Sequence, residues 1–346
     1  MARGWTAQRI ATRSVLLLIT AISLYLLLPS LIAVFGSWRD LFDLEPLWVV
    51  AALGFEALSF LAIWTLQRIA LQTPSWFAVG TSQLAANAFG KIVPGGLAAS
   101  GALQYRMLVR AGVPPGGVGS AVAATSALLF AGLLALPILA LPAILGGTPV
   151  EHKLLHAVWL GVAVFVLMLV AGSISFVSDR PLRLVARVID WFLRLIGKRR
   201  SGPPLGDLLI EQRDEIRRTL GERWKMALTA AVGKSLFDYL ALVASLYAVQ
   251  ARPDPSLVLL AYVAGSFLGM IPLTPGGLGF VEAGLTGLLV VAGVDAAPAA
   301  AATLAYRLVS FWLPLPAGGV AYWLFGRRIK PVPGVAPPAV PPRLQA

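Results

Sequence analysis

The chain of 346 residues is 58% hydrophobic and only 13% charged, about half the charge of an ordinary soluble domain. A water-soluble globule is excluded, and a polytopic helical membrane protein is expected. The absence of cysteine excludes disulfide and thiolate chemistry. The two histidines, His152 and His156, make no metal-ligand set, and no cofactor is expected.

In chain order, Arg3, Arg9 and Arg13 precede an apolar run at about 15–35. That run is longer than the apolar core of a signal peptide, so it reads as a retained first span, with residues 1–13 as a cytoplasmic N-terminus. An acidic loop at 37–46 leads to a second span at about 47–69. Then come one arm at about 76–93, the break Pro94-Gly95-Gly96, and a second arm to 113. Spans at about 117–145 and 154–177 follow. The segment 179–225 is rich in arginine, and "LLIEQRDEIRRTL" at 208–220 has helical spacing with a polar face. It reads either as a cytoplasmic helix lying near the membrane or as a solvated connector. A span at about 226–249 precedes a third arm, the break Pro275-Gly276-Gly277, a fourth arm to 294, and a last span at about 299–325. The tail 327–346 is basic, then proline-rich, and reads as a disordered cytoplasmic tail. The net charge of +12 thus sits at membrane flanks. There it suits cytoplasmic loops and anionic headgroups rather than nucleic acid.

A shift of 181 positions lays residues 94–113 on 275–294, and ten of the twenty pairs match, including Pro-Gly-Gly-Leu and Ala-Gly-Val. One position further, Phe55-Glu56 falls on Phe237-Asp238. We read an internal duplication with repeat elements at about 47–130 and 227–311. Three spans separate the two breaks, and an odd number turns the second copy upside down. The distribution of lysine and arginine gives the same orientation, with both termini in the cytoplasm. The expected fold class is therefore all-α, within 14–326. It would hold about six transmembrane helices and two broken re-entrant hairpins, related as an inverted repeat of the kind secondary transporters use. A helix that starts after Pro-Gly-Gly points its positive end into the break, which suits an anion.

Glu56, Lys91, Arg106, Lys234, Asp238, Glu282 and Arg307 lie in or beside apolar segments, where a charge costs about 2.5–3.5 kcal/mol. Glu282, two turns into the fourth arm, is expected to pair with Arg307 of the last span as a gate. Lys91 and Arg106 flank the first break and are expected to hold a phosphate, with Asn87, Gln83 and Thr274 adding hydrogen bonds. Arg106 could instead anchor a helix end by snorkelling. Lys234 and Asp238 are four apart and read as a structural couple along one helix face. Pro94, Gly95, Gly96, Pro275, Gly276, Gly277 and Gly279 form the broken-helix backbone. Kinks serving packing alone are the plainer alternative for both breaks.

"PLTPGGLGFVEAG" at 272–284, "AYRLVSFW" at 305–312 and "NAFGKIVPGG" at 87–96 together resemble one family. It is the flippase-like transmembrane region of bacterial lysylphosphatidylglycerol synthases, which also occurs as a stand-alone protein. The resemblance covers about residues 10–328. It implies a lipid-handling membrane domain, which in the synthases is associated with moving aminoacylated phosphatidylglycerol between leaflets. Aminoacyl transfer belongs to a separate soluble domain and is not carried over, so no enzyme is expected. Thr274, Pro275, Gly276, Gly277, Gly279, Glu282 and Arg307 match the family pattern. The first repeat departs from it, with Ala98 and Gly101 where the second has Gly279 and Glu282. The expected function is translocation of an anionic phospholipid or polyprenyl-linked glycan between leaflets of the plasma membrane, with membrane lipids as partners. The alternatives are an ion-coupled transporter of a small solute and a membrane scaffold for a separately encoded lipid-modifying synthase.

Overall fold

The computed structural model of the chain describes residues 44–73, 75–93, 96–140, 178–195, 204–270 and 274–329, with residues 167, 170 and 174 singly. The expected span at 15–35, all but those three residues of the one at 154–177, the N-terminus and the tail beyond 329 lie outside them. Among the described residues all regular structure is helical. We number the α-helices α1 (Pro46–Ala70), α2 (Trp76–Ile92), α3 (Gly96–Arg110), α4 (Pro115–Ala135), α5 (Arg180–Leu195), α6 (Leu205–Leu220), α7 (Trp224–Ala248), α8 (Pro255–Met270), α9 (Phe280–Val291), α10 (Ala296–Arg307) and α11 (Pro314–Arg328). The stretches Pro46–Ala70, Pro115–Leu139, Trp224–Ala248 and Ala296–Arg328 are long and apolar enough to cross a membrane.

The polarity of α1 is that of a helix in lipid. Leu47, Val50, Leu53, Leu58 and Leu61 face outward, while Glu56, Ser59 and Gln67 are buried. In a soluble protein the pattern would be reversed.

The two repeats run in the same element order, with α1 to α4 corresponding to α7 to α10. Their helix ends coincide down to hydrogen bonds. Gly112 and Gly293 stand 181 apart, with φ of 89° and 88°. Behind them the Val113 amide donates to Leu108 O at 3.1 Å, and the Val294 amide to Leu289 O at 3.0 Å. This is a helix end closed by a left-handed residue, a conformation only glycine adopts without penalty. The match of "Ala-Gly-Val" in the two halves is therefore one piece of stereochemistry used twice.

The equivalent helices α1 and α7 pack along one another, and residue numbers that rise on one fall on the other. The Glu45 amide donates to Ala248 O at 3.0 Å. The Trp48 ring meets that of Tyr247 at 4.7 Å. Ser59 Oγ donates to Lys234 O at 3.1 Å. Leu66 clusters with Ala227, Ala230 and Ala231. The helices are thus antiparallel, as equivalent elements of an inverted repeat must be when they meet at the repeat axis. Glu56 and Asp238, equivalent in sequence, fall between the outer contacts, at the crossing.

The hairpin arms pack in sequence, α2 on α3 and α8 on α9, and α11 lies along α2. The core of the second repeat is one cluster that includes Leu242, Leu246, Tyr262, Leu285, Leu289 and Ala302. In the basic connector, α5 and α6 pack as a pair, and Arg213 on α6 reaches Asp179 at 2.6 Å, beside the start of α5. The apolar stripe suited to a membrane surface is on α5, where Leu184, Val185, Val188 and Trp191 are exposed between arginines.

The last span is not a uniform helix. Residues Leu308–Trp312 form a π turn between α10 and α11, and the Leu313 amide donates to Leu308 O at 2.9 Å. Pro314 is the reason: it has no N–H for the carbonyl of Ser310, four residues back.

Candidate functional site

That freed carbonyl opens the site. Lys91 Nζ, at the end of α2, donates to Ser310 O at 2.9 Å and to Phe311 O at 3.4 Å. A proline therefore makes an acceptor in one repeat, and a lysine beside the break of the other repeat fills it. The Phe311 ring carries Lys91 at 4.8 Å and Arg307 at 4.2 Å from its centroid, near enough for both cations to feel the ring's negative face.

The second break is fastened to the same point. Arg307 Nε donates to Glu282 Oε1 at 2.7 Å, and its NH2 donates to Gly276 O at 3.2 Å. Gly276 has φ 63°, and a Cβ there would lie 2.6 Å from a ring carbon of Phe311 and 3.0 Å from Lys91 O. Only glycine meets both demands. The second break thus lies against the end of α2, immediately before the first break.

The expected pair of Glu282 and Arg307 is present, but the position of Glu282 needs correction. Gly276, Gly277 and Gly279 all have positive φ, so α9 does not begin until Phe280. Glu282 therefore stands in the first turn of α9, not two turns in. It supplies the negative charge that the positive end of this helix favours, the place where a bound anion was expected. Thr274 Oγ1 donates to Leu278 O at 2.9 Å, so it closes the turn of the break. Gly279 is the residue preceding α9.

A cavity of about 230 Å³ lies behind this knot. It is lined by Glu56, Ser59, Phe60 and Ile63 of α1, Gln83, Asn87 and Lys91 of α2, Lys234 and Asp238 of α7, and Tyr306, Arg307 and Ser310 of the last span. Both repeats contribute, and five of these residues are ionisable side chains that the sequence singled out: Glu56, Lys91, Lys234, Asp238 and Arg307. Arg106 is not among the lining residues. It is exposed on α3, because the inward face of that helix carries Gln104, Met107 and Leu108 instead. Lys91 and Arg106 therefore do not share one ligand here; the cations that converge are Lys91, Lys234 and Arg307. Gly96 opens α3, while Pro94 and Gly95 lie outside the described residues.

Lys234 donates to Asp238 Oδ2 at 2.8 Å along α7. Asp238 is also the hub of two tyrosines. Tyr262 donates to Oδ2 at 3.0 Å and Tyr306 to Oδ1 at 2.8 Å. A buried carboxylate with this many donors is well satisfied. Tyr306 stands beside Arg307 in a motif already singled out, so its role was within reach of the sequence. Tyr262 gave no signal, because one tyrosine in an apolar helix reads as packing. Ser310 could have been found from the proline four residues after it.

The family model described as "Lysylphosphatidylglycerol synthase TM region" matches residues 5–318. The chain belongs to that family. A UPF0104 membrane protein of Methanothermobacter thermautotrophicus is 25% identical over 190 residues, covering 50% of this chain and 54% of that protein. A shorter match to a UPF0104 membrane protein of the same organism is 39% identical over 79 residues, 22% and 23% of the two chains. A UPF0104 membrane protein of Pyrococcus horikoshii is 40% identical over 63 residues, 18% and 19%. The chain spans about half the length, or less, of the curated relatives it matches. Those names state a membrane location and no cargo. In this member of the lysylphosphatidylglycerol synthase TM family, both breaks, the Glu282–Arg307 pair and every cavity-lining residue fall inside the matched region.

Proposed function

We propose that the protein translocates a lipid with an anionic headgroup, a phospholipid or a polyprenyl-linked glycan, between the leaflets of the plasma membrane. The carrying observation is the cavity: about 230 Å³, lined by helices of both repeats, with Lys91, Lys234 and Arg307 on its wall. In a low-dielectric surrounding, a phosphate gains far more from such cations than it does in water. The size suits a headgroup and not a whole lipid, so the tails would stay in the bilayer. Alternating access would come from rocking one repeat against the other about the α1–α7 crossing, with Glu282–Arg307 locking the second break in one state. Both termini would be cytoplasmic, and a separately encoded lipid-modifying synthase would be a partner. The reading is one of transport and not of catalysis.

The test is vesicle translocation of a fluorescent phosphatidylglycerol by the purified chain, compared with Glu282→Gln and Arg307→Ala. Faster exchange with the wild type, reduced at least about tenfold by either variant at equal incorporation, supports the reading; tenfold is the effect of about 1.4 kcal/mol in a barrier. Rates equal to protein-free vesicles overturn it. The same cavity volume favours a second reading, transport of a small water-soluble anion. Uptake of such a solute into vesicles with no lipid movement would select it.

A further inference from the structure

One lining residue stands apart. Glu56 is 8% exposed, and its Oε2 has no hydrogen-bond partner. It lies at the α1–α7 crossing, and its sequence equivalent Asp238 has Lys234 and two tyrosines as partners. The charged and titratable groups around the cavity from each element are Lys91 of α2, Lys234 and Asp238 of α7, and Tyr306 and Arg307 of α10. Glu282 of α9 stands behind Arg307, and Tyr262 of α8 holds Asp238.

With Glu56 ionised, the three acids Glu56, Asp238 and Glu282 balance the three bases Lys91, Lys234 and Arg307. With Glu56 neutral, the site carries one uncompensated positive charge. An oxygen left without a partner in such a place is costly as a charge and cheap as an acid. The cavity is large enough for water to bring a proton to it.

We propose that Glu56 is a proton-binding carboxyl, and that its protonation is linked to the binding of an anionic headgroup in the same cavity. The inference rests on the translocator reading and names its coupling ion. A proton passes from hydronium to a Glu56 oxygen: one O–H bond breaks and one forms, water is left, and one negative charge is removed from the site. The site then accepts the negative charge of a phosphate. Linkage makes the effect mutual: the anion raises the affinity for the proton as the proton raises that for the anion. A metal cation is a poorer occupant. Asn87 Oδ1 is the other fully buried side-chain oxygen without a partner on the wall among the described residues, and two such oxygens beside two ammonium groups do not replace a hydration shell of about six.

The test uses the full chain in lipid nanodiscs and has two arms. Infrared titration from about pH 5 to about pH 9, across the range of perturbed carboxyls, should show a buried protonated carboxyl in the wild type. That absorbance should be missing in Glu56→Gln and kept, shifted, in Glu56→Asp. Identical absorbance in wild type and Glu56→Gln overturns the assignment. In the second arm, short-chain phosphatidylglycerol is titrated into weakly buffered, folded protein. Uptake approaching one proton per lipid is expected, with affinity falling about tenfold per pH unit on the alkaline side. Glu56→Gln should bind with no proton uptake and no pH slope. Lipid binding by the wild type without proton uptake, or dependence on sodium in place of pH, overturns the inference and leaves the translocator reading standing. No lipid binding by the wild type at any pH overturns the translocator reading and the linkage with it.

Discussion

The two halves of the molecule share a backbone plan and differ in their chemistry. In the second half, Asp238 is held by Lys234, Tyr262 and Tyr306. In the first half, Glu56 stands at the equivalent place, but Ala52, Thr81 and Thr125 stand where those three partners would be. The same asymmetry holds at the breaks, where Gly101 and Ser126 occupy the places of Glu282 and Arg307. It holds again at the entry to each hairpin. There the Ser75 amide donates to Thr73 Oγ1 at 3.4 Å, and its counterpart, the Ser256 amide, donates to Asp254 Oδ1 at 2.8 Å. Duplication fixed where the helices end. Divergence then gave the carboxylate at the crossing three donors in the second half and none of their counterparts in the first.

Substitutions at equivalent positions of the two halves should have unequal effects. The largest effect is expected at Asp238→Ala, which strands the Lys234 ammonium and two buried phenols. A loss of about 3–5 kcal/mol follows from removing one side of a buried pair. Glu56→Ala, which leaves Lys234, Tyr262 and Tyr306 on Asp238, should cost no more than about 1 kcal/mol. Thermal unfolding in detergent measures both, and equal losses would erase the distinction between the two carboxyls.

Next is Gly276→Ala. A Cβ at φ 63° that also meets Phe311 should cost about 1–3 kcal/mol. The loss should be partly restored by Phe311→Leu, which clears the space but leaves the backbone conformation. Full restoration would mean that the ring alone, and not the left-handed turn, demands glycine.

A double-mutant cycle on Glu282→Gln and Arg307→Lys should give a coupling of about 0.5–3 kcal/mol. The same cycle on Gly101 and Ser126 has no pair to remove and should give none. Coupling near zero at Glu282 and Arg307 would mean that this ion pair does not fasten the second break.

The smallest effect is at the hairpin entries. The Ser256 hydroxyl, and then the backbone amides of Ser256 and Leu257, hold the Asp254 carboxyl below the usual carboxylate range. A depressed acid adds stability that is complete above its unfolded value of about 3.9 and is lost as pH falls through its folded value. Asp254→Thr, which copies the first half, should lower the unfolding temperature slightly at neutral pH. The gap should close as the pH falls below that range. A gap independent of pH would place the effect elsewhere.

Much of this was legible in the sequence because it is written in local pattern. Apolar run lengths gave α1, α4 and α7, since the bilayer sets the length of a span. The glycines at 112 and 293 gave equal helix ends, since a left-handed turn demands them. Helical spacing predicted the Lys234–Asp238 pair. The cost of a charge in hydrocarbon marked five of the cavity-lining residues. Other features were not legible, because they depend on which helices meet. Nothing in the order of residues states that Lys91 reaches a carbonyl 219 positions away, or that the second break rests against α2. Arg106, like Lys91, is a cation flanking the first break, yet its place on the helix turned it outward. Above all, Glu56 and Asp238 are the same kind of residue in the same kind of context along the chain. Helical spacing already gives Asp238 a lysine and Glu56 an alanine; the rest of their difference arises only when α8 and α10 bring two tyrosines to one carboxylate and leave the other with an oxygen unpaired. Sequence chose the charges, because composition sets what the membrane will tolerate; tertiary structure decided which were neutralised, because hydrogen bonds act only over a few ångströms.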